Sequence, residues 1–413
     1  MRTTVELVTP FRGERFRDAA RLGALIAPPY DVITPEERAR LAAADPHNIV
    51  HLSLPETPGG GDRFAHAGAL LEQWRREGVL VRDAAPTVYI LAQEFALPSG
   101  ERRTRLGMFA AVAAEPYESG RVRPHERTHA RVKAERLALL RATRTSLEAI
   151  LLLVPDPQRS LAEALVRLTA GAPAARGELG GVRLRLWVVG GDEAARLAAS
   201  AGRQALYIAD GHHRYETAVA YARESPTAGR VVAFLVSTAD PGLVVLPTHR
   251  VIYGADRDPG GLVEKWGRWF DVQRLPMGTD PLAHLTRTGA SRIACVVACP
   301  EGGDVSLVLR RDAPLDAVPG GPALRQLDAA VIEALVVHEI LGAGHTTPTL
   351  KFTADPREAL DAVRKGVAAA AVLVNPTRVE QIIAVADAGG VMPPKSTYFV
   401  PKVPSGVVLL PAD

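Results

Sequence analysis

The pattern of apolar and polar positions along the chain predicts an alternation of strands and helices. Short apolar runs bounded by turn residues are typical of strands, and they occur at 88–95, 105–114, 149–154, 183–189 and 230–237. Apolar residues at helical spacing indicate amphipathic helices, and they occur at 64–77, 133–142 and 210–223. The stretch Leu97–Gly100 contains Pro and Gly between two strand-like runs, so it predicts the turn of a β-hairpin.

Stretches rich in Gly, Ala, Asp and Pro divide this pattern into regions. The stretch 170–181 is predicted to be a loop, and the run 254–261 is predicted to be a domain boundary. Beyond that run, helix-like segments, including one at 324–341, alternate with strand-like segments, which is typical of α/β or α+β structure. We therefore predict an α/β (α+β) fold in three regions, and these are 1–119, 120–255 and 256–413.

Composition and charge narrow the class of protein. The net charge is +3, which is too small to favour nucleic acid as a partner. Cys295 and Cys299 share one face of an apolar run, so we predict core residues in a reducing compartment. The N-terminus lacks the apolar segment of a signal peptide, and no apolar run is long enough to span a membrane. We expect a cytoplasmic protein without a membrane partner, and its oligomeric state stays open.

The densest cluster of candidate chemistry lies at a turn between a strand and a helix. A strand-like run ends at Asp210, Gly211 permits a sharp turn, and a helical pattern follows. His212, His213 and Arg214 then lie at a helix N-terminus, where free N–H groups and the helix dipole favour an anion. We predict that Gly211 and these three residues bind a phosphate. In the alternative interpretation, Asp210 only caps the helix and the histidines lie on the surface.

Three further groups of residues are candidate ligand contacts. Turns carry both structural and binding residues, and Lys, Ser and Thr can supply an ammonium group and two hydroxyls to a phosphate. The groups are Tyr30 and Asp31 after a Pro-Pro pair, His249 and Arg250 after a strand-like run, and Lys395, Ser396 and Thr397 in a Pro-rich segment. A buried Tyr-Asp turn and a surface strand are the respective alternatives for the first and third groups.

The stretch His125-Glu126-Arg127-Thr128-His129 matches the H-E-x-x-H zinc pattern. In that pattern, two histidines on one helical face bind zinc and the Glu acts as a base. The flanking residues here are basic, whereas the zinc helix of a peptidase is usually apolar, and no third-ligand extension follows. A zinc hydrolase would also leave the Asp-Gly-His-His-Arg turn unexplained, so we disfavour it.

Four motifs together carry a resemblance to known families. The chain resembles an uncharacterised bacterial and archaeal family in its segments 27–33, 124–128, 209–215 and 393–399. The His-Glu element, the basic helix after it and the Ala-Asp-Gly-His-His-Arg-Tyr segment also resemble the ParB/sulfiredoxin superfamily, and most of all its free-serine kinases. This resemblance implies a ParB/sulfiredoxin-like catalytic core at about 120–255, with additional N-terminal and C-terminal α/β regions.

The resemblance also implies a function. It implies phosphoryl transfer to free serine from pyrophosphate or a nucleotide (ADP or ATP), with Mg²⁺. Glu126 resembles the carboxylate that accepts the serine proton, and Asp210 resembles the acidic residue that acts on Mg²⁺ or as a second base. Physical chemistry agrees, because such a transfer needs positioning, charge neutralisation and one base. His125 and Thr128 are additional candidates for substrate binding.

One departure from the family affects the acceptor. Where the family has an Asn and a Ser-Pro pair, this chain has Ser146 and Glu148-Ala149, so the acceptor amino acid is open. Two alternatives use the same or related residues: a phosphoserine hydrolase or reverse transferase, and a ParB-like nucleotide-binding or DNA-associated protein. The near-neutral charge and the missing helix-turn-helix stretch disfavour the second alternative.

Overall fold

The structure is a computed structural model that describes residues 5–57, 59–225, 228–254, 259–300, 303–342 and 348–412. The chain divides into two compact units. Unit 1 comprises Met1–Val244 together with Pro401–Asp413, and unit 2 comprises Val245–Val400. The three regions predicted from the sequence do not coincide with these units, and residues 255–258 of the predicted boundary run lie outside the described residues.

The secondary structure is an alternation of strands and helices, as the pattern predicted. The strands are β1 (Val8–Thr9), β2 (Glu14–Phe16), β3 (Leu80–Arg82), β4 (Thr87–Ala96), β5 (Arg102–Ala113), β6 (Val122–Arg123), β7 (Thr145–Ser146), β8 (Ile150–Val154), β9 (Ala175–Leu179), β10 (Val182–Gly190), β11 (Leu206–Asp210), β12 (Arg230–Ser237), β13 (Val244–Leu246), β14 (His249–Tyr253), β15 (Phe270–Arg274), β16 (Ala294–Ala298), β17 (Val305–Leu309), β18 (Thr349–Thr353), β19 (Ala370–Val374), β20 (Tyr398–Val400) and β21 (Leu410–Pro411). The helices are α1 (Leu22–Leu25), α2 (Pro35–Ala44), α3 (Val50–Ser53), α4 (Arg63–Arg76), α5 (Ala130–Thr143), α6 (Ser160–Leu168), α7 (Gly191–Ala201), α8 (His212–Glu224), α9 (Val263–Trp266), α10 (Pro281–Thr288), α11 (Pro322–Arg325), α12 (Asp328–Ile332), α13 (His338–Gly342), α14 (Pro356–Arg364) and α15 (Val379–Asp387).

Unit 1 is built on one mixed sheet. Its strand order is β6-β11-β8-β12-β5-β4-β10-β9, and β1 pairs with β5. The pairs β6–β11 and β8–β12 are parallel, while the other neighbours are antiparallel. Strands β4 and β5 form the predicted hairpin, and Leu97 N–H donates to the Glu101 carbonyl in its turn. The mixed α/β fold class is therefore confirmed.

Helix α8 packs on this sheet against β8 and β12. One apolar cluster joins sheet residues such as Ile150 and Ile208 to Leu165, Leu197 and Tyr215 from α6, α7 and α8. Tyr215 is fully buried, and its hydroxyl donates to the Glu115 carbonyl at 2.8 Å. Burial of a large apolar side chain contributes about 1.5–3 kcal/mol. The start of α8 is thus fixed on the sheet by packing one turn further along the helix.

Unit 2 has its own sheet and core. Its strand order is β15-β17-β16-β19-β14-β18, and all described neighbours are antiparallel. Central strands β16 and β19 are buried throughout, and apolar residues of α10 and α14 pack against them. Cys295 is buried in β16, whereas Cys299 follows the strand and is half-buried; neither is part of a disulfide. Burial raises the pKa of the Cys295 thiol.

Two elements differ from the sequence prediction. The predicted loop 170–181 contains β9, which pairs with β10 through a turn at Gly180 and Gly181. Both glycines have positive φ, at 56° and 78°, which suits a tight hairpin turn. The predicted helical segment 324–341 is broken into α11, α12, a π-helical turn at Glu333–Val337 and α13. The strand was missed because its alternate side chains are exposed and polar, as on an edge strand.

Candidate active site

The turn between β11 and α8 forms the centre of the candidate site. Gly211 has φ +95°, and a Cβ at this position would lie 3.0 Å from the Arg214 guanidinium and 3.0 Å from Ile150. Only glycine suits both the backbone conformation and this close approach. Helix α8 begins at His212 with Gly211 as its N-cap residue, and no side chain caps it. Asp210 is therefore not a helix cap, which contradicts the alternative interpretation of this turn.

Asp210 is held between two cations. Its Oδ1 accepts a hydrogen bond from Lys402 Nζ at 2.8 Å, and its Oδ2 accepts one from Arg214 Nη2 at 2.7 Å. Burial opposes the charge of this carboxylate, but Lys402 and Arg214 outweigh burial and hold the pKa of Asp210 well below its usual range. Asp210 is therefore an anion at neutral pH, and its charge is balanced locally.

Arg214 is directed into the protein. Only 8% of its surface is exposed, and its Nη1 donates to the Ala149 carbonyl at 2.5 Å. Burial alone would lower the pKa of Arg214, but Asp210 and Glu148 raise it above the usual range. The sequence predicted that this guanidinium would bind a phosphate. In the structure it donates to the Asp210 carboxylate at the end of β11 and to the Ala149 carbonyl before β8. Arg214 therefore orients Asp210.

The predicted pair Tyr30 and Asp31 lies within electrostatic range of Arg214. Both residues begin a short 3-10 turn, Tyr30–Val32, and both interact electrostatically with Arg214. The Tyr30 N–H donates to Glu148 Oε1 at 3.1 Å, and the Arg136 guanidinium lies 4.3 Å from the centre of the Tyr30 ring. Glu148 thus connects this turn to the site.

Lys402 belongs to the C-terminal segment of unit 1. The Arg105 guanidinium donates to the Pro401 carbonyl at 2.5 Å, and Gln93 Nε2 donates to the Lys402 carbonyl at 3.0 Å. Further along, the Ser405 hydroxyl donates to Glu148 Oε1 at 2.9 Å. The backbone of this segment is therefore fixed by strands β4 and β5, and its lysine reaches Asp210.

The segment that carries Glu126 lies across the start of α8. The His125 and His212 rings meet edge to face at 4.7 Å, and the His129 and His213 rings stack at 5.8 Å. Glu126 is 34% exposed and lies 3.7 Å from His212 Nδ1. Burial lowers the pKa of His125 to about 4 and the pKa of His212 well below its usual range. Both rings are therefore neutral at pH 7.

This geometry does not form the helical zinc pattern. Residues 125–129 are not helical, and α5 begins only at Ala130. His125 and His129 each contact a different histidine of α8 rather than sharing a helical face. Within the described residue ranges, there is no group of three or more His, Cys, Asp or Glu side chains that could hold a metal ion. Residues 125–129 therefore match H-E-x-x-H in sequence but do not form its helical structure.

The remaining predicted residues belong to unit 2. His249 and Arg250 are buried in β14; His249 Nδ1 accepts from the Val374 N–H at 3.2 Å, and Arg250 Nε donates to Glu333 Oε2 at 3.2 Å. Burial lowers the pKa of His249 to about 4. Lys395 adopts φ +55°. The Ser396 hydroxyl donates to the Pro393 carbonyl at 2.7 Å across a turn at Pro394 and Lys395, and Thr397 directly precedes β20. Their proposed ligand roles stay predictions.

Sequence reasoning missed three charged groups of the site. Lys402 was passed over, although a lysine between prolines in an apolar tail is an unusual residue. Glu216 sits within an ordinary helix pattern that did not single it out, and the sequence analysis considered Glu148 only in relation to the acceptor. Spatial proximity alone brings Lys402 to Asp210 and Glu216 to Thr128.

The comparisons with known proteins place the chain in a family. A profile of the family described as "Protein of unknown function (DUF1015)" matches residues 8–330. Because this match covers more than half of the chain, the protein belongs to that family. A search of curated proteins finds no significant match.

Several solved structures are similar to this chain at low identity. A conserved hypothetical protein from Pyrococcus furiosus is 16% identical, with 73% of this chain and 94% of that chain covered and a TM-score of 0.36. A free serine kinase in complex with AMP is 14% identical, with 72% and 92% covered and a TM-score of 0.38. Staphylococcus aureus SbnI with a C-terminal truncation is 10% identical, with 74% and 87% covered and a TM-score of 0.37. At these identities, function has to be argued from the residues of this chain.

The helices were also compared with the length that a lipid bilayer requires. Within the described part of the chain, none is both long enough and apolar enough to cross a membrane.

Proposed function

We propose that the protein is a small-molecule phosphotransferase, and specifically a kinase that phosphorylates free L-serine. The proposal rests on one observation, which is the set of groups around His212. These groups are the Asp210–Lys402 ion pair, the N-terminus of α8 and a second carboxylate, Glu126. His212 is 3.7 Å from Glu126 and interacts electrostatically with Asp210. Phosphoryl transfer requires these parts, namely a base for the acceptor and positive groups for the phosphates.

The donor phosphates bind at the start of α8. The first N–H groups of a helix have no intrahelical acceptor, so those of residues 212–214 suit an anion. The first backbone bond of α8 is donated by the Tyr215 N–H to the Gly211 carbonyl. Lys402 adds a positive charge to this site, and its side chain is 19% exposed. Arg214 supports this site from inside by orienting Asp210.

The acceptor hydroxyl binds next to Glu126. The hydroxyl oxygen forms a bond to the terminal phosphorus of the donor while its proton moves to the Glu126 carboxylate. The bond between that phosphorus and the bridging oxygen breaks, and the leaving group keeps the electron pair. A base positioned within hydrogen-bond reach contributes about 10²–10⁴-fold to such a step. Serine as the acceptor rests on the resemblance of the His-Glu element, the basic helix after it and the Asp-Gly-His-His-Arg turn to free-serine kinases.

Magnesium enters the proposal together with the donor. Mg²⁺ in kinases is usually bound by one or two carboxylates and by the substrate phosphates. The Asp210 oxygens accept hydrogen bonds from Lys402 and Arg214, which makes a resident divalent ion at this carboxylate unfavourable. Mg²⁺ is therefore proposed as the counter-ion of the bound phosphates, and no step depends on a metal held by the protein.

A direct assay tests the proposed function. The full-length protein is incubated with serine and Mg²⁺ and, separately, with ATP, ADP or pyrophosphate, and phosphoserine is measured by ³¹P NMR and mass spectrometry. We expect phosphoserine with at least one donor, and none in reactions that lack serine. Phosphate release without formation of phosphoserine would show hydrolysis of the donor, and either that result or no turnover with any of the three donors would overturn the proposal.

A further inference from the structure

Two adjacent histidines of α8 accept hydrogen bonds from the main chain of the Glu126 segment. The His125 N–H donates to His212 Nε2 at 3.3 Å, and the His129 N–H donates to His213 Nε2 at 2.8 Å. Adjacent side chains on a helix point about 100° apart. The segment 125–129 therefore wraps around the first turn of α8, with one hydrogen bond to each imidazole.

This geometry fixes the chemical form of both rings. A nitrogen that accepts a hydrogen bond carries a lone pair, so the ring proton of a neutral imidazole must lie on the other nitrogen. His212 Nδ1 then faces Glu126 Oε2 at 3.7 Å. On its other side, Glu126 Oε1 is 3.8 Å from His125 Nε2. The two imidazoles therefore flank the carboxylate of Glu126.

A third contact on α8 holds the same segment. Glu216 lies one turn after His212, and its Oε2 accepts hydrogen bonds from the Thr128 hydroxyl and from Lys133 Nζ, both at 2.7 Å. The Tyr117 hydroxyl is 3.5 Å from Glu216 Oε1. The anchoring of segment 125–129 thus runs from the first residue of α8 to the fifth.

We infer that His212 and His213 are positioning residues that hold Glu126 by accepting main-chain hydrogen bonds, and that their Nε2 atoms are not phosphate ligands. One ring nitrogen cannot accept from an N–H group and donate to a phosphate oxygen at the same time. This inference rests on the proposed function where it concerns Glu126 as a base. It replaces the sequence prediction that both imidazoles bind the donor phosphate.

The test uses His213, which is half-buried, because a change at the buried His212 can prevent folding. His213→Gln keeps an acceptor near the position of Nε2, whereas His213→Met removes the acceptor. Misplacement of a catalytic group by about 1 Å can cost about 10²-fold. We expect His213→Met to lower kcat by about 10- to 100-fold with unchanged KM for the donor, and His213→Gln to restore most of kcat. His66→Gln, at an exposed position of α4, controls for the loss of a histidine.

Amide hydrogen exchange gives a readout that does not depend on activity. Loss of one hydrogen bond should speed exchange at the His129 amide by on the order of tenfold in His213→Met, but not in His213→Gln. A rise in donor KM in both variants, with unchanged exchange at His129, would overturn the inference and favour phosphate ligation. If the wild type makes no phosphoserine, the proposed function fails, while the exchange result still decides whether His213 holds the segment.

Discussion

The two units contain similar residue types, but they use them differently. In unit 1, Glu126, the turn with Asp210 and Arg214, and Lys402 are far apart in sequence and meet around the start of α8. In unit 2, a histidine and an arginine of β14 are buried in the sheet, where each has an internal partner. Polar residues become a candidate site when they converge on a partly exposed helix N-terminus, and they are core groups when the sheet encloses them.

The largest expected effect concerns Glu126. Glu126→Gln keeps the size of the side chain but cannot take a proton, so turnover should fall by about 10²–10⁴-fold. Donor affinity and melting temperature should stay near those of the wild type, as measured by calorimetry. Glu118→Gln, at an exposed position of unit 1, is the matched control. Retained turnover in Glu126→Gln would remove this carboxylate from the mechanism.

Acid should weaken unit 1 more than unit 2. In unit 1, burial lowers the pKa of His125 to about 4 and also lowers the pKa values of His212 and His213. In the described part of unit 2, the histidine whose pKa is lowered by burial is His249. A lowered pKa means that the unfolded chain binds protons first as the pH falls below about 6.5. The stability present above pH 6.5 is therefore lost progressively as the pH falls toward 4. At pH 5, the lowered pKa of His125 alone should reduce the free energy of unfolding by about 2 kcal/mol.

Hydrogen exchange at pH 7 and pH 5, corrected for the intrinsic rates, measures this difference for each unit. Core amides of β8 and β11 should lose more protection than those of β16 and β19. Equal losses in the two units would contradict the assignment of the buried histidines as the acid-sensitive groups.

Two lysines near the C-terminus provide the sharpest comparison between the units. Lys402→Met removes the cation that contacts Asp210 in unit 1, and Lys395→Met removes the lysine that the sequence predicted as a phosphate ligand in unit 2. Loss of a charge-assisted bond typically costs about 1.5–3 kcal/mol, so Lys402→Met should weaken donor binding by about 10- to 100-fold. Lys395→Met should leave it near the wild-type value.

Isothermal calorimetry with each candidate donor measures both variants, and circular dichroism verifies their folding. The reverse ranking would return the phosphate site to the segment 393–397.

The smallest expected effect concerns zinc. The segment 125–129 is not helical, so elemental analysis of the purified protein should find no stoichiometric zinc. Activity should depend on added Mg²⁺ and return after treatment with EDTA followed by Mg²⁺. One tightly held zinc, lost in the double variant His125→Ala and His129→Ala, would restore the hydrolase interpretation.

The sequence by itself determined the local elements. Short apolar runs predicted β4, β5, β8 and β10, because strands that are buried in a sheet need apolar side chains. Asp210-Gly211 fixed the turn before α8, since few residues other than glycine tolerate φ +95°. Thr34 and Pro35 fixed the start of α2, where the Thr34 hydroxyl accepts from the Glu37 N–H. The candidate carboxylates Glu126 and Asp210 were also visible as parts of these local patterns.

Only the tertiary structure decided what those residues contact. Lys402 is 192 positions from Asp210 in sequence, and their contact depends on how Arg105 and Gln93 hold the C-terminal segment. The inward direction of Arg214 depends on the Ala149 carbonyl, which lies directly before β8. Such contacts are set by the packing of distant elements, and local periodicity carries no information about them. The sequence therefore determined which groups are present at the turn, and the fold decided which of them are buried against internal partners and which are partly exposed.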